Sequence, residues 1–155
     1  MGDRAFERTI IRETPERIFD VITDYGAYPR WANNVKDVSV ERVDEDGRAG
    51  LVSYRAAAMG RSAAYVLEYF YGTNPLRVSW HLAEGDLVRR LDGRYVLVPL
   101  EDDAAGPRTE VTYELEVEIS MPMSGFLRRR AESRILRNAL EDLRSWVEEG
   151  SQLPS

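Results

Sequence analysis

Thr109-Glu110-Val111-Thr112-Tyr113-Glu114-Leu115-Glu116-Val117-Glu118-Ile119 alternates without a break. Val111, Tyr113, Leu115, Val117 and Ile119 share one face of a strand. Glu110, Thr112, Glu114, Glu116 and Glu118 share the other, which must be wet. After Met121-Pro122-Met123, which ends the sheet, the period lengthens to that of a helix. Ser124 to Glu149 reads as one helix of about 25 residues, some 37 Å at a rise of about 1.5 Å per residue. On the helical wheel Ala131, Ile135, Leu136, Ala139, Leu140, Leu143, Trp146 and Val147 fill about half the cylinder. Arg130, Arg134, Arg137, Glu141, Arg144 and Glu148 take the opposite side, with Arg137–Glu141 and Arg144–Glu148 at ion-pair spacing. A helix apolar over so wide an arc needs a concave partner.

The chain before Thr109 supplies that partner. Asp46-Gly47, Met59-Gly60, Gly72-Thr73-Asn74-Pro75, Glu84-Gly85-Asp86 and Ala105-Gly106-Pro107 cut Val35 to Ile119 into six strand-like runs. Connections this short exclude parallel crossovers, so the runs form an antiparallel meander. Asp92-Gly93 interrupts the run from Leu87 to Leu100 and reads as a bulge that bends the strand. Nearer the start, Arg4 to Arg12 reads as a further strand. Thr14-Pro15-Glu16 then combines an N-cap, a proline at the first helical position and an acid in the first turn. That helix buries Ile18, Phe19, Val21 and Ile22 and ends near Asp24-Tyr25-Gly26; Tyr28-Pro29-Arg30-Trp31 adds a second short turn. The expected class is α+β: a seven-stranded curved antiparallel sheet wrapped around a long C-terminal helix, with two short helices after strand 1. One domain covers residues 1–150, and 151–155 form a loose tail.

Composition narrows the function. At 155 residues the chain is long enough to bury roughly 70% of its unfolded surface without metal or disulfide staples. It has no cysteine, which excludes a thiolate nucleophile and Cys-ligated zinc or iron–sulfur sites. A net charge of −6 argues against nucleic acid as a partner. No apolar run is long enough to span a membrane, and Met1-Gly2-Asp3-Arg4 opens no signal peptide, so a cytoplasmic location is expected.

Alternation places Tyr54, Tyr65, Tyr69, Trp80, Tyr95 and Tyr113 on the sheet face that carries Val52, Leu67, Val78, Leu97 and Leu115. A tightly packed core favours Leu, Ile and Val there, because a buried phenol needs a partner. Two arrangements satisfy the pattern. Either the rings fill a large core with their hydroxyls at its rim, or they line a partly hydrated pocket for an apolar ligand with a few polar atoms. The second is the expectation adopted here. Trp31, Tyr54, Tyr65, Leu67, Tyr69, Trp80, Tyr95, Leu97, Tyr113, Leu115, Ile135 and Ala139 are its candidate ligand-binding residues.

Thr14 to Trp31 (TPERIFDVITDYGAYPRW) resembles the opening motif of the polyketide cyclase/dehydrase and lipid-transport family. Glu84 to Tyr95 (EGDLVRRLDGRY) resembles its strand with a Gly ahead of an aromatic, and Thr109 to Leu115 its penultimate element. The resemblance covers roughly residues 5 to 148 and implies the START-like helix-grip fold of the superfamily that includes the birch-pollen allergen. It also implies a hydrophobic ligand. It implies no particular reaction, since members range from ring-closing enzymes to quinone-binding chaperones and a ribosome-association toxin. Aromatase/cyclase members carry a pocket arginine on a strand; an ungapped count puts that position near Tyr69, which speaks against cyclase chemistry.

The remaining chemistry is sparse. His81 is the only histidine and alternates with Trp80 onto the outer face, so a His-based triad or metal site is excluded. Glu114, Glu116 and Glu118 form a solvated ladder, and Arg55 faces outward. No phosphate-binding glycine loop appears, and no cofactor, metal or catalytic residue is expected. Arg128, Arg129 and Arg130 break a rule, because the first turns of a helix already carry positive dipole charge. Arg128 and Glu132 also point to the apolar side, which makes them pocket-mouth candidates. Either these residues are simply solvated past the sheet edge, or they meet an anionic headgroup, a membrane surface or an acidic partner. The reading carried forward is a domain that binds a hydrophobic small molecule or lipid without covalent catalysis. A polyketide-type cyclase or dehydrase using pocket tyrosines, and a protein-interaction role, are the alternatives.

Overall fold

In a computed structural model, which describes residues 5–58, 61–120 and 124–150, the elements follow the expected order. They are β1 (Ala5–Ile11), α1 (Pro15–Ile22), a single 3₁₀ turn (Tyr25–Ala27), α2 (Tyr28–Trp31), β2 (Val35–Val43), β3 (Ala49–Ala58), β4 (Arg61–Gly72), β5 (Leu76–Gly85), β6 (Val88–Asp103), β7 (Gly106–Ile119) and α3 (Gly125–Gly150). The turn expected at Met59-Gly60, the sheet terminator Met121-Pro122-Met123 and the tail 151–155 lie outside the described residues. No described helix is long and apolar enough to cross a membrane.

The seven strands form one antiparallel sheet in the order β1-β7-β6-β5-β4-β3-β2. Six of them pair with their sequence neighbours, and β1 closes the order by pairing with β7, from Ala5↔Leu115 to Ile11↔Thr109. Glycine and asparagine take the left-handed turn positions at Gly47, Asn74 and Gly106. Around α1, Thr14 Oγ1 accepts the Arg17 N–H at 3.3 Å, as an N-cap should. Ile18 and Ile22 of α1 are buried. The buried Thr109 hydroxyl donates to the Glu13 carbonyl at 2.7 Å and fixes the chain between β1 and α1.

The bulges lie elsewhere than expected. Asp92 and Gly93 keep regular register with Glu116 and Leu115. The β6–β7 register shifts between Val88 and Arg90, and again between Leu100 and Asp103. Gly93 serves a different purpose: a Cβ there would lie 2.6 Å from Trp80 Cζ2 and 2.7 Å from the Glu114 carbonyl oxygen. Trp80 is its cross-strand partner on β5, so the glycine makes room for the indole. The β5–β6 ladder ends at this pair, and Asp92 Oδ1 accepts the Leu82 N–H beyond it at 3.2 Å.

The outer face is charged and paired. Arg94 bonds its cross-strand partner Glu114, and Arg90 reaches Glu116 at 3.5 Å and Glu118 at 3.7 Å. His81 lies on this face, 2.9 Å from Glu68, and Arg55 bonds Asp37. These outward positions match the alternation.

The inner face meets α3. Leu136, Leu140, Leu143 and Val147 are buried in one core cluster with Ile11, Ile18, Val111 and Leu115. Helix α3 packs principally against β1 and β7. Arg144–Glu148 forms at 3.5 Å, whereas the expected Arg137–Glu141 pair does not form among the described residues. Side chains one turn apart on a helix surface gain only ~0.2–0.5 kcal/mol by pairing.

Candidate functional site

A second flank of α3 stands off the sheet except at Glu132, which reaches β7. Arg128, Ala131, Glu132, Ile135, Asn138, Ala139 and Asp142 line a cavity of about 450 Å³ between this flank and the inner face of β3 to β7. The volume falls in the range of roughly 300–1,000 Å³ typical of small-molecule sites. Ile135, although aliphatic, is 36% exposed because it faces this space.

The sheet contributes Tyr54, Ala56 and Ala57 from β3, and Ala63, Tyr65, Leu67 and Tyr69 from β4. Trp80 comes from β5, Val88, Arg89, Leu91 and Tyr95 from β6, and Tyr113, Val117 and Ile119 from β7. Tyr28 and Trp31 of α2, followed by Ala32, Asn33 and Asn34, form one side. Every candidate named from the sequence lies on this wall except Leu97 and Leu115. Those two are 1% and 0% exposed and belong to the packed core. They share the alternation of their neighbours, but solid side-chain packing covers them.

Aromatic rings form a continuous wall. Tyr69 lies 4.5 Å from Tyr25 and 5.9 Å from Trp80, centroid to centroid. Trp80 in turn lies 5.6 Å from Tyr95 and 5.7 Å from Tyr113, which are 4.5 Å apart. The hydroxyls divide into two groups. Tyr54 bonds Tyr69, Tyr28 donates to the Ile22 carbonyl, and Tyr25 meets Tyr71 at 2.9 Å. Tyr71 donates onward to the Ala49 carbonyl at 2.7 Å. Tyr65, Tyr95 and Tyr113 have no hydrogen-bond partner among the described residues, and all three line the cavity. Burial raises the pKa of each of these phenols, that of Tyr65 to about 12. They are therefore neutral hydrogen-bond donors at any physiological pH.

Three carboxylates line the wall: Glu118 of β7, and Glu132 and Asp142 of α3. Glu132 is 4% exposed, so it lies deeper than a mouth position. One of its oxygens accepts the Val117 N–H at 3.1 Å, a backbone donor beyond the point where described pairing with β1 stops at Leu115. No cation lies within ion-pair distance of it among the described residues. Asp142 accepts from the Asn33 backbone N–H at 3.2 Å and from its side-chain amide at 3.1 Å, which ties α3 to the segment after α2. Desolvation raises its pKa. The indole N–H of Trp31 is buried and has no hydrogen-bond partner among the described residues.

Tyr28, Asn33, Asn138 and Asp142 escaped the sequence reading. Asn138 and Asp142 sit beside Ile135 and Ala139 on the wheel, a signal that polarity masked. Tyr28 and Asn33 lie where no periodicity operates. Arg89 reaches the wall at the β6 register shift, the kind of displacement by which a bulge re-aims a side chain. Among the described residues no group of three or more His, Cys, Asp or Glu side chains is placed to hold a metal ion.

Comparison with known proteins follows this geometry. The family model described as polyketide cyclase/dehydrase and lipid transport matches residues 11–144. A START superfamily protein from Mycobacterium smegmatis superposes with a TM-score of 0.87 at 22% identity, covering 96% of this chain and 99% of that one. The Zhui aromatase/cyclase from Streptomyces sp. R1128 gives 0.76 at 12% identity over 98% and 95% of the two chains. The ginseng major latex-like protein 151 from Panax ginseng gives 0.69 at 15% identity over 99% of each. At such identities these likenesses establish the START-like helix-grip fold. No curated protein matches the sequence.

Proposed function

The chain belongs to the polyketide cyclase/dehydrase and lipid-transport family, and we propose that it binds a hydrophobic small molecule or lipid between sheet and α3, without covalent catalysis. The cavity of about 450 Å³ and its three unpartnered phenols carry this reading. The aromatic and alanine walls exclude water from an apolar skeleton. Tyr65, Tyr95 and Tyr113 donate hydrogen bonds to acceptor oxygens on the ligand, and Glu132 accepts from a donor. The ligand is thus mostly apolar, with a carbonyl or ether oxygen toward the tyrosines. Phenols held neutral by burial orient such a molecule but make poor bases, which favours binding over enolisation. Tyr69, hydrogen-bonded to Tyr54, stands near the position where an ungapped count puts the cyclases' arginine.

Native mass spectrometry of protein purified from cells, followed by organic extraction, tests the proposal. An amphiphile of defined mass should co-purify and should be lost in Ala139→Trp, which fills the cavity from α3. A clean mass after incubation with lipids, quinones and aromatic polyketides would sink the reading. So would an adduct retained by the filled variant.

A further inference from the structure

The first part of α3 gathers exposed arginines and exposed apolar side chains on one stretch of helix. On the sheet, four solvent-facing arginines meet carboxylates: Arg42 with Glu68, Arg55 with Asp37, Arg90 with Glu116, Arg94 with Glu114. Arg128, Arg129, Arg130, Arg134 and Arg137 make no ion pair among the described residues. From Gly125 to Arg137 the only acid is the buried Glu132. A locally basic segment therefore stands in a protein of net charge −6. Its first arginines lie near the positive end of the helix dipole, and no carboxylate is within ion-pair distance of the segment's arginines among the described residues. Beside these arginines Phe126 and Leu127 are 62% and 53% exposed, although large apolar side chains gain nothing in water. The next residue, Arg128, lines the cavity.

We propose that this first part of α3 docks on an anionic lipid surface. Phe126 and Leu127 enter the headgroup boundary while Arg129, Arg130, Arg134 and Arg137 lie against lipid phosphates. Exposed aromatic and aliphatic side chains interleaved with arginine are what an interfacial helix presents. An acidic protein would answer the arginines but leaves the two apolar side chains unexplained. Docking there holds the cavity against the bilayer, where a hydrophobic ligand is concentrated. The proposal stands independently of what the cavity binds.

Flotation of the full chain with vesicles tests it. One set is phosphatidylcholine alone, and the other is phosphatidylcholine mixed with phosphatidylglycerol. The protein should float with the anionic vesicles and remain behind with the neutral ones, and salt should weaken the association. Reversing Arg129, Arg130 and Arg134 to Glu should reduce partition by on the order of a hundredfold or more. Phe126→Ser with Leu127→Ser should reduce it at least about tenfold. All five side chains are solvent-exposed, and an unchanged thermal midpoint would confirm intact folding. The proposal is overturned if anionic vesicles leave the protein behind. It is also overturned if the serine variant floats like the parent, since the arginines would then be reading charge alone.

Discussion

Two flanks of one helix teach most about this protein. Leu136, Leu140, Leu143 and Val147 face β1 and β7 and leave no space. Ala131, Ile135, Asn138 and Ala139, about a third of a turn around the cylinder, face a cavity. Backbone and helix are the same on both sides. The difference lies opposite: β1 and part of β7 bring aliphatic side chains up to α3, whereas β3 to β6 and Tyr113 of β7 present tyrosines and Trp80 that pack against one another. Rings held by neighbouring rings form a wall and need not collapse onto the helix.

The largest test of this contrast is alkaline pH, because six of the tyrosines line the cavity and none lies on the packed flank of α3. All eight tyrosines have pKa values raised by burial above the ordinary 10.0. A phenol whose folded pKa exceeds its unfolded one contributes stability that is complete below the unfolded value and is lost as pH rises. With several such groups the loss reaches on the order of 5 kcal/mol per pH unit above the ordinary phenol value. Phenolate absorbance and loss of far-UV circular dichroism should therefore rise together above pH 10.0, within the window that ends near 12 for Tyr65. Phenolate appearing in a still-folded protein would show the wall to be hydrated.

Paired truncations on the helix come next. Leu143→Ala should cost about 2–5 kcal/mol in denaturant unfolding, because a cavity opens in solid packing. Ile135→Ala should cost less than about 1 kcal/mol, since its surroundings are already open. Equal losses would abolish the distinction between the flanks. Gly93→Ala tests the wall itself: the added methyl collides with Trp80, and a loss of about 1–3 kcal/mol is expected. A neutral result would mean that Trp80 moves freely.

Smaller effects separate ligand from fold. Tyr95→Phe and Tyr113→Phe should each change stability by under about 0.5 kcal/mol, because those hydroxyls have no protein partner to lose. Each should weaken an extracted ligand by about fivefold to tenfold in a titration, the worth of one hydrogen bond. Asp142→Asn is the mildest. A carboxyl whose folded pKa is raised favours folding below its unfolded pKa, and that advantage is lost as pH rises through the folded one. The amide should therefore equal or slightly exceed the parent in stability at neutral pH. Its stability should also vary less with pH just above the ordinary carboxylate range. A marked loss at neutral pH would instead make the Asn33 contact a structural clasp.

Local pattern made much of this legible. Period-two alternation located the inner face of β7, Thr14-Pro15 located α1, and the inward aromatics Tyr54, Tyr65, Tyr69, Trp80, Tyr95 and Tyr113 were visible in the strands. Asp92-Gly93 was misread because a glycine in a strand signals either a bulge or a close neighbour, and only the cross-strand partner distinguishes them. Trp80 is that neighbour, thirteen residues away in the chain. Leu97 and Leu115 were misplaced for a related reason: alternation says which face a residue takes, not what stands across from it.

The sequence by itself determined the element order, the antiparallel sheet, the inward set of β3 to β7 and the width of the apolar arc on α3, all consequences of short periodicities. The tertiary structure alone decided that β1 lies beside β7, with Ala5 opposite Leu115. That pairing, between residues far apart in the chain, fills one flank of α3 and leaves the other lined by phenols. It also settled which arginines find carboxylates, because cross-strand register brings Glu114 to Arg94 and brings nothing to the outer surface of the helix.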